Sequence, residues 1–396
     1  MIEIEFSVMV DDASQPQEGL RAILDEFERQ HHIKVHLTII GWASGWSEIM
    51  KYGLYGQGPD VSEIGTTWLG GIAAMNALRP FKPADMRTLG KPEDFLENSW
   101  QSCTLKSDST LWAIPWQTDT RLFYYRSDMF DRAGITDHQS VFTSHDSLVQ
   151  ALAKILKSGL VTPITLVVQR NYNSVYEIAS WVWGAGGHFM APDGQSVVMN
   201  QSEALKGLHN YFSLRSFLGD VDWDAADPYE PFTSGQTAMA INGPFMLNEI
   251  RGDDPEMAAK IQVSLAPGIP FVGGTNLMIW KHTRQPRAAV ELVNFLTRQE
   301  ARYPYIAHSA LLPARISVLD ELQKRGDPLI ETSIKSLYAG QSFSNNRMWG
   351  YIEEKLFQVL PTIWRELIEN PDADLDEIIK RNIDFFVRRA NLTLSH

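Results

Sequence analysis

At 396 residues, with 44% hydrophobic and 21% charged residues, the chain is too long for one ordinary core and reads as a globular protein of two domains. Its formal charge of −13 argues against binding to a phosphate backbone, which wants a basic face. No stretch approaches the roughly 20 uninterrupted apolar residues of a membrane helix. Cys103 is alone, which excludes an intrachain disulfide and a thiolate-rich metal site.

Ile2 to Val10 alternates as a half-buried strand does. No basic segment, apolar run or cleavage site precedes it. That leaves a cytoplasmic protein, or a mature form whose export signal was replaced by a start Met. After the polar loop Asp11–Ser14, Leu20, Ile23, Leu24 and Phe27 fall at i, i+3, i+4 and i+7 of an amphipathic helix. Val35–Ile40 is a second strand, followed by a loop, Gly41–Trp46, and a helix to Tyr55. Val61–Ile64 is a third strand, and Gly65-Thr66-Thr67-Trp68 caps the next helix. Strands alternating with helices indicate an α/β domain with a largely parallel sheet. In such sheets ligands sit at the carboxyl ends of the strands, so Asp11–Ser14, Trp42–Trp46 and Thr66–Trp68 are expected to gather on one edge.

Leu111–Pro115 reads as a strand leading into Trp116–Arg121, and Leu122–Tyr125 resumes as a strand. Helices are expected over Ser127–Ala133 and His145–Ser158. A strand over Ile164–Val168, the polar-aromatic loop Gln169–Asn173 and a helix ending at Gly184 come next. Pro231–Ile250, PFTSGQTAMAINGPFMLNEI, joins a turn, a short apolar run, an Asn-Gly-Pro turn and an aromatic at a helix start. Its glycine lets backbone approach a ligand, and its helix start offers unpaired N–H groups. Beyond it lie a strand from Val263, the Gly273-Gly274 turn, a strand over Leu277–Trp280 and a helix from Pro286. The mostly helical tail is interrupted at Pro361.

The ordered motifs Gly58-Pro59-Asp60-Val61, Ala113-Ile114-Pro115 with Phe123-Tyr124-Tyr125, Asp128-Met129-Phe130 and Gly235 to Phe245 resemble those of the family 1 extracellular solute-binding proteins of ABC importers, the maltose-binding-protein-like group. That resemblance implies a two-lobed α/β fold of type II, each lobe a mixed, mostly parallel sheet flanked by helices. It implies a ligand cleft between the lobes, hinge closure on the solute and no catalysis. The lobes are expected at 1–117 plus 268–313 and at 118–267 plus 314–396. The implied partners are a sugar ligand and the membrane permease subunits of the importer. No nucleic acid, cofactor or metal is implied, and the protein is expected to be a periplasmic or lipid-anchored surface monomer.

Residue by residue, Phe245 is similar to an aromatic that stacks on sugar after Asn-Gly-Pro; it keeps the ring and lacks the indole N–H. Asp119 falls where the family's maltose binders carry a hydroxyl-binding Glu. Trp68 and Trp349 resemble sugar-contacting tryptophans, Trp349 being the late one of the second lobe. The loop Gln169–Tyr176 matches an acidic-aromatic loop, with Arg170 and Asn171 in place of the acid. The candidate ligand-binding set is Asp11, Asp12, Trp42, Trp46, Thr67, Trp68, Gln117, Asp119, Asn171, Tyr172, Tyr176, Phe245, Gly273, Gly274 and Trp349. Pyranose rings offer apolar C–H faces to aromatic planes and hydroxyls to planar amides and carboxylates, which suits this composition.

Other readings compete. Asp11, Asp12, Glu63 and Asp119 contain enough carboxylates for a glycosidase, but nothing in the sequence sets their separation. Tyr124 and Tyr125 are adjacent on a strand and point to opposite faces, so they cannot share a metal ion. A solute-sensing domain, or a binder of a glycerophosphate or polyamine, fits the same fold.

Overall fold

The computed structural model describes residues 2–10, 14–105, 109–171, 173–225, 227–298, 311–343 and 345–394. Its strands, numbered in chain order, are β1 (Ile2–Met9), β2 (Ile33–Ile40), β3 (Val61–Gly65), β4 (Leu78–Arg79), β5 (Ala113–Thr120), β6 (Leu122–Arg126), β7 (Met239–Asn242), β8 (Ile261–Ser264), β9 (Val272–Trp280) and β10 (Leu312–Pro313). The chain divides into two compact units. Unit 1 comprises Met1–Asp119, Val272–Gly326 and Ser342–Gly350; unit 2 comprises Thr120–Phe271, Asp327–Gln341 and Tyr351–His396. Residues 118–119, 314–326 and 342–350 thus fall in unit 1, where the sequence reading places them in the second lobe, and 268–271 fall in unit 2, where it places them in the first.

Unit 1 is built on a seven-stranded sheet in the order β10-β5-β9-β3-β1-β2, with β4 also on β9. β1 runs parallel to β2 and to β3, whereas β9 is antiparallel to β3 and β10 to β5. The alternation in β1 is realised: Ile4, Phe6 and Val8 enter one apolar cluster with Leu20, Ile23, Leu24 and Phe27 of the helix Ser14–His31. The opposite face carries a second cluster around Met9, Ile64, Met278 and Trp280. The β1, β2 and β3 carboxyl ends lie at one edge, where the Val10 N–H donates to Ile40 O at 3.0 Å. The start of β9 lies there too, because Gly65 pairs with Thr275.

Unit 2 departs from the mostly parallel expectation. Its sheet is three-stranded, β7-β6-β8, and antiparallel throughout. The expected strand over Ile164–Val168 does not form; Thr162 and Thr165 make only isolated bridges to Thr237 and Ala240. Tyr124 packs with Leu122 and Phe232 and donates from its hydroxyl to Gly243 O at 2.7 Å, while Tyr125 stacks on Phe130. The two rings enter different surroundings, as adjacent strand positions should. The helix Trp349–Glu369 runs straight through Pro361. Leu356, Leu360, Ile363, Trp364 and Leu367 are all buried along it, and that packing outweighs the ~3 kcal/mol a mid-helix proline costs.

Candidate functional site

At the strand-end edge of unit 1, the helix Trp42–Tyr55 begins one residue after Gly41, so Trp42 and Trp46 are helical and not in a loop. Four residues apart, they lie on one helix face. Both meet Trp68 edge to face, with centroids at 5.6 Å and 5.7 Å and planes at 65° and 67°. Glycines make room for this. A Cβ on Gly45 would lie 2.9 Å from Met9 Sδ and 3.0 Å from the Trp68 ring, and Cβ atoms on Gly71 and Gly350 would lie 3.0 Å and 3.1 Å from the Trp46 ring. The three tryptophans are half-buried. Thr67, beside Trp68, is buried.

Gly273 and Gly274 do not form the expected turn. Both lie within β9, and Gly274 has φ +129°. A Cβ there would sit 2.1 Å from Gln117 O and 2.7 Å from Thr118 Cα, so only glycine lets β9 close on β5. The Gly274 carbonyl accepts the Thr66 N–H at 3.0 Å, tying this strand to the turn that carries Trp68. Gln117 is buried, and Asp119, half-buried, lies two residues on along β5. Glu63 sits inside the sheet, where its carboxylate accepts the Met9 N–H at 2.8 Å. Burial pushes its pKa up to about 7, against the opposing pull of Met9 N–H and the Thr275 hydroxyl. It braces β1 against β3.

Unit 2 holds the remaining candidates. Phe245 opens the helix Phe245–Asp253 after Asn242-Gly243-Pro244 and packs half-buried against the Tyr124 and Phe232 cluster. Asn242 Oδ1 accepts the Gly243 N–H at 2.8 Å and shapes that turn. Asn171 Oδ1 accepts the Asn173 N–H at 2.9 Å and its carbonyl accepts the Ser174 hydroxyl at 2.7 Å, so it caps the helix Asn173–Gly184. Tyr176 stacks on Phe271, 4.5 Å apart and 7° from parallel, so one face of its ring is covered. Trp349 stacks on Phe343 at 4.4 Å, is 1% exposed, and belongs to unit 1, not to the second lobe. Asp11, Asp12 and Tyr172 lie outside the described residues.

A buried polar knot beside Tyr176 had no signal in the sequence. The Arg121 guanidinium, 5.2 Å from the Tyr176 ring centre and 5.7 Å from that of Phe271, donates to Asn173 Oδ1 at 2.6 Å. Glu177, one residue on, accepts from the Tyr211 hydroxyl at 2.8 Å, the Val167 N–H at 3.3 Å and the Tyr229 hydroxyl at 3.4 Å. Burial nevertheless pushes its pKa up to about 7. Among the described residues, no group of three or more His, Cys, Asp or Glu could hold a metal ion. Nor is any described helix long and apolar enough to cross a membrane.

A family profile described as bacterial extracellular solute-binding protein matches residues 22–332. The chain belongs to this family. The chain is 23% identical over 363 residues to the diacetylchitobiose binding protein of Streptomyces coelicolor, a match covering 88% of this chain and 81% of that one. It is 22% identical over 199 residues to a "probable ABC transporter-binding protein" of Deinococcus radiodurans and there spans only 47% of either chain. The fold matches that of a Thermotoga lettingae ABC transporter solute-binding protein solved with α-D-tagatose, with a TM-score of 0.83, 19% identity and 100% of both chains covered. The family supplies the two-lobed α/β architecture that the motif order implied.

Proposed function

We propose that this solute-binding protein is the substrate receptor of an ABC importer and that it captures a mono- or oligosaccharide by aromatic stacking and hydroxyl hydrogen bonds. The observation that carries this reading is the tryptophan corner of unit 1. Three half-buried indoles, braced edge to face, stand at the strand ends on the sheet where Gln117 and Asp119 supply a planar amide and a carboxylate. Indole planes suit pyranose C–H faces, and carboxylate and amide suit hydroxyls. In unit 2, Phe245 adds a half-buried aromatic ring at a helix start. The names of the relatives support a sugar: one is a diacetylchitobiose binder, and one was solved with tagatose. The receptor works outside the cytoplasm as a monomer, periplasmic or anchored at the surface, and delivers its sugar to permease subunits without altering it.

A thermal-shift and calorimetric screen of diacetylchitobiose, maltose, tagatose and other neutral sugars tests this, with glycerol 3-phosphate and spermidine as contrasts. A ligand at a hundredfold excess over its Kd adds about 2.7 kcal/mol of stability, a readily measured rise in Tm. At least one sugar is expected to produce that rise and to change tryptophan fluorescence. A response to glycerol 3-phosphate or spermidine with none to any sugar sinks the reading.

A further inference from the structure

Strand alternation sorts the side chains of β5. Ile114 and Trp116 enter the cluster beneath the helix Ser14–His31, and Ala113 enters the one beside the tryptophan corner. Gln117 and Asp119 therefore share the tryptophan-corner face. Gln117 is 2% exposed, and its Nε2 finds no acceptor among the described residues. On the neighbouring strand β9, Asn276 is fully buried on the same face as Met278 and Trp280. Its Nδ2 donates to Ser102 Oγ at 2.9 Å. Asn345, from the 342–350 segment of unit 1, donates from Nδ2 to the carbonyls of Ser102 and Thr104, both at 2.9 Å. Those two bonds fix which end of the amide is nitrogen. The oxygen left over, Oδ1, is shielded from solvent and finds no donor among the described residues.

Hydrogen bonds thus join Asn276, Ser102 and Asn345 in unit 1, while Gln117 Nε2 and Asn345 Oδ1 stay without partners among the described residues. A phosphate can accept from Gln117 but, fully ionised, has nothing to give Asn345. An ammonium can donate to Asn345 but cannot accept from Gln117. Hydroxyls do both. Leaving such groups empty is costly, and a pocket built around them rejects solutes that leave them unpaired. We propose that Gln117 Nε2 and Asn345 Oδ1 are the hydroxyl-recognition pair of unit 1, selecting neutral polyhydroxylated solutes against inorganic phosphate and polyamines. This rests on the carbohydrate reading above and names the residues that make the choice.

The two roles open to Gln117 give opposite signs. If it only braces the fold, removing its amide lowers Tm and leaves affinity alone. If it waits for a ligand, Gln117→Leu removes an unmet donor, so ligand-free Tm holds or rises while sugar affinity falls. Calorimetry with diacetylchitobiose, maltose and tagatose, beside ligand-free melting, is expected to show at least a tenfold loss for Gln117→Leu with Tm at or above wild type. Asn345→Leu is expected to lose tenfold as well, at a lowered Tm, because its bonds to Ser102 and Thr104 go too. Sugar binding by wild type that either variant keeps overturns the pair and leaves the carbohydrate reading standing. Binding of spermidine or inorganic phosphate and of no sugar overturns both. A ligand-free Tm for Gln117→Leu below wild type overturns the pair whatever binds.

Discussion

Trp46 meets Trp68 edge to face at 5.7 Å, and the same Trp46 ring lies close over Gly71 and Gly350. Trp68 is therefore held from the side, with its orientation set before a ligand arrives. Trp68→Ala is expected to weaken sugar binding tenfold or more, since a stacked aromatic contributes ~0.5–1.5 kcal/mol beyond its buried area. Trp46→Ala, which leaves Trp68 unbraced, should weaken it less. Titration of intrinsic fluorescence checks both, and equal affinities in wild type and Trp68→Ala would remove the corner from the site.

For Phe245 and Asp119 the expected loss is again tenfold or more in each alanine variant, from one stacked ring and one set of charge-assisted bonds worth ~1–3 kcal/mol. Phe245 also packs on the Tyr124 and Phe232 cluster, so Phe245→Ala should lower Tm as well. Phe245→Trp separates the two effects. It keeps a ring on the helix start and should retain most of the affinity, whereas alanine should not.

Glu63 and Glu177 set the pH dependence. Each has a folded pKa raised from 4.5 to about 7, so the folded state binds more protons than the unfolded one between those values. Their stabilising contribution is complete below about pH 4.5 and is lost as pH rises through 7, on the order of 1–3 kcal/mol per group. Chemical denaturation across pH 4.5–8 should show Glu63→Gln and Glu177→Gln each flattening that decline. A glutamine variant whose stability falls with pH as steeply as wild type rules out that group as the source.

Gly274→Ala tests the closure of β9 on β5. With φ at +129° and a Cβ aimed at backbone 2.1 Å away, alanine cannot be accommodated without moving a strand. A loss of about 2 kcal/mol or more is expected from urea unfolding. Gly56→Ala makes the comparison: its φ is also positive, +61°, but nothing lies within 4 Å, and it should cost about 1 kcal/mol.

Much of this was legible where local pattern and tertiary packing agree. The β1 alternation, the Leu20-Ile23-Leu24-Phe27 stripe and the helix His145–Ser158 were read as they occur. The misreadings fall where packing overrode local chemistry. Gly273-Gly274 has turn composition, yet its glycines serve a close strand crossing. Gly41 and Gly45 made Trp42–Trp46 look like a loop, whereas Gly45 is a helical residue kept small by Met9 and Trp68. Trp349 and Trp68 were both read as sugar-contacting, but Trp349 is buried, stacked on Phe343, whereas Trp68 stays half-exposed beside Trp42 and Trp46. The knot of Arg121, Asn173 and Glu177 and the bond from Asn345 to Ser102 join residues distant in the chain, and no periodicity announces such contacts.

The interleaving of the two units has a bearing on synthesis. The chain passes from one to the other at 119/120, 271/272, 326/327, 341/342 and 350/351. Gly70 is packed against the Asn346 carbonyl and Trp46 against Gly350, so unit 1 is unfinished until about residue 350 has been made. A ribosome making the chain N-terminus first therefore releases most of it before either unit can close, and contacts that distant form slowly. No N-terminal fragment short of that length should give a cooperative melt.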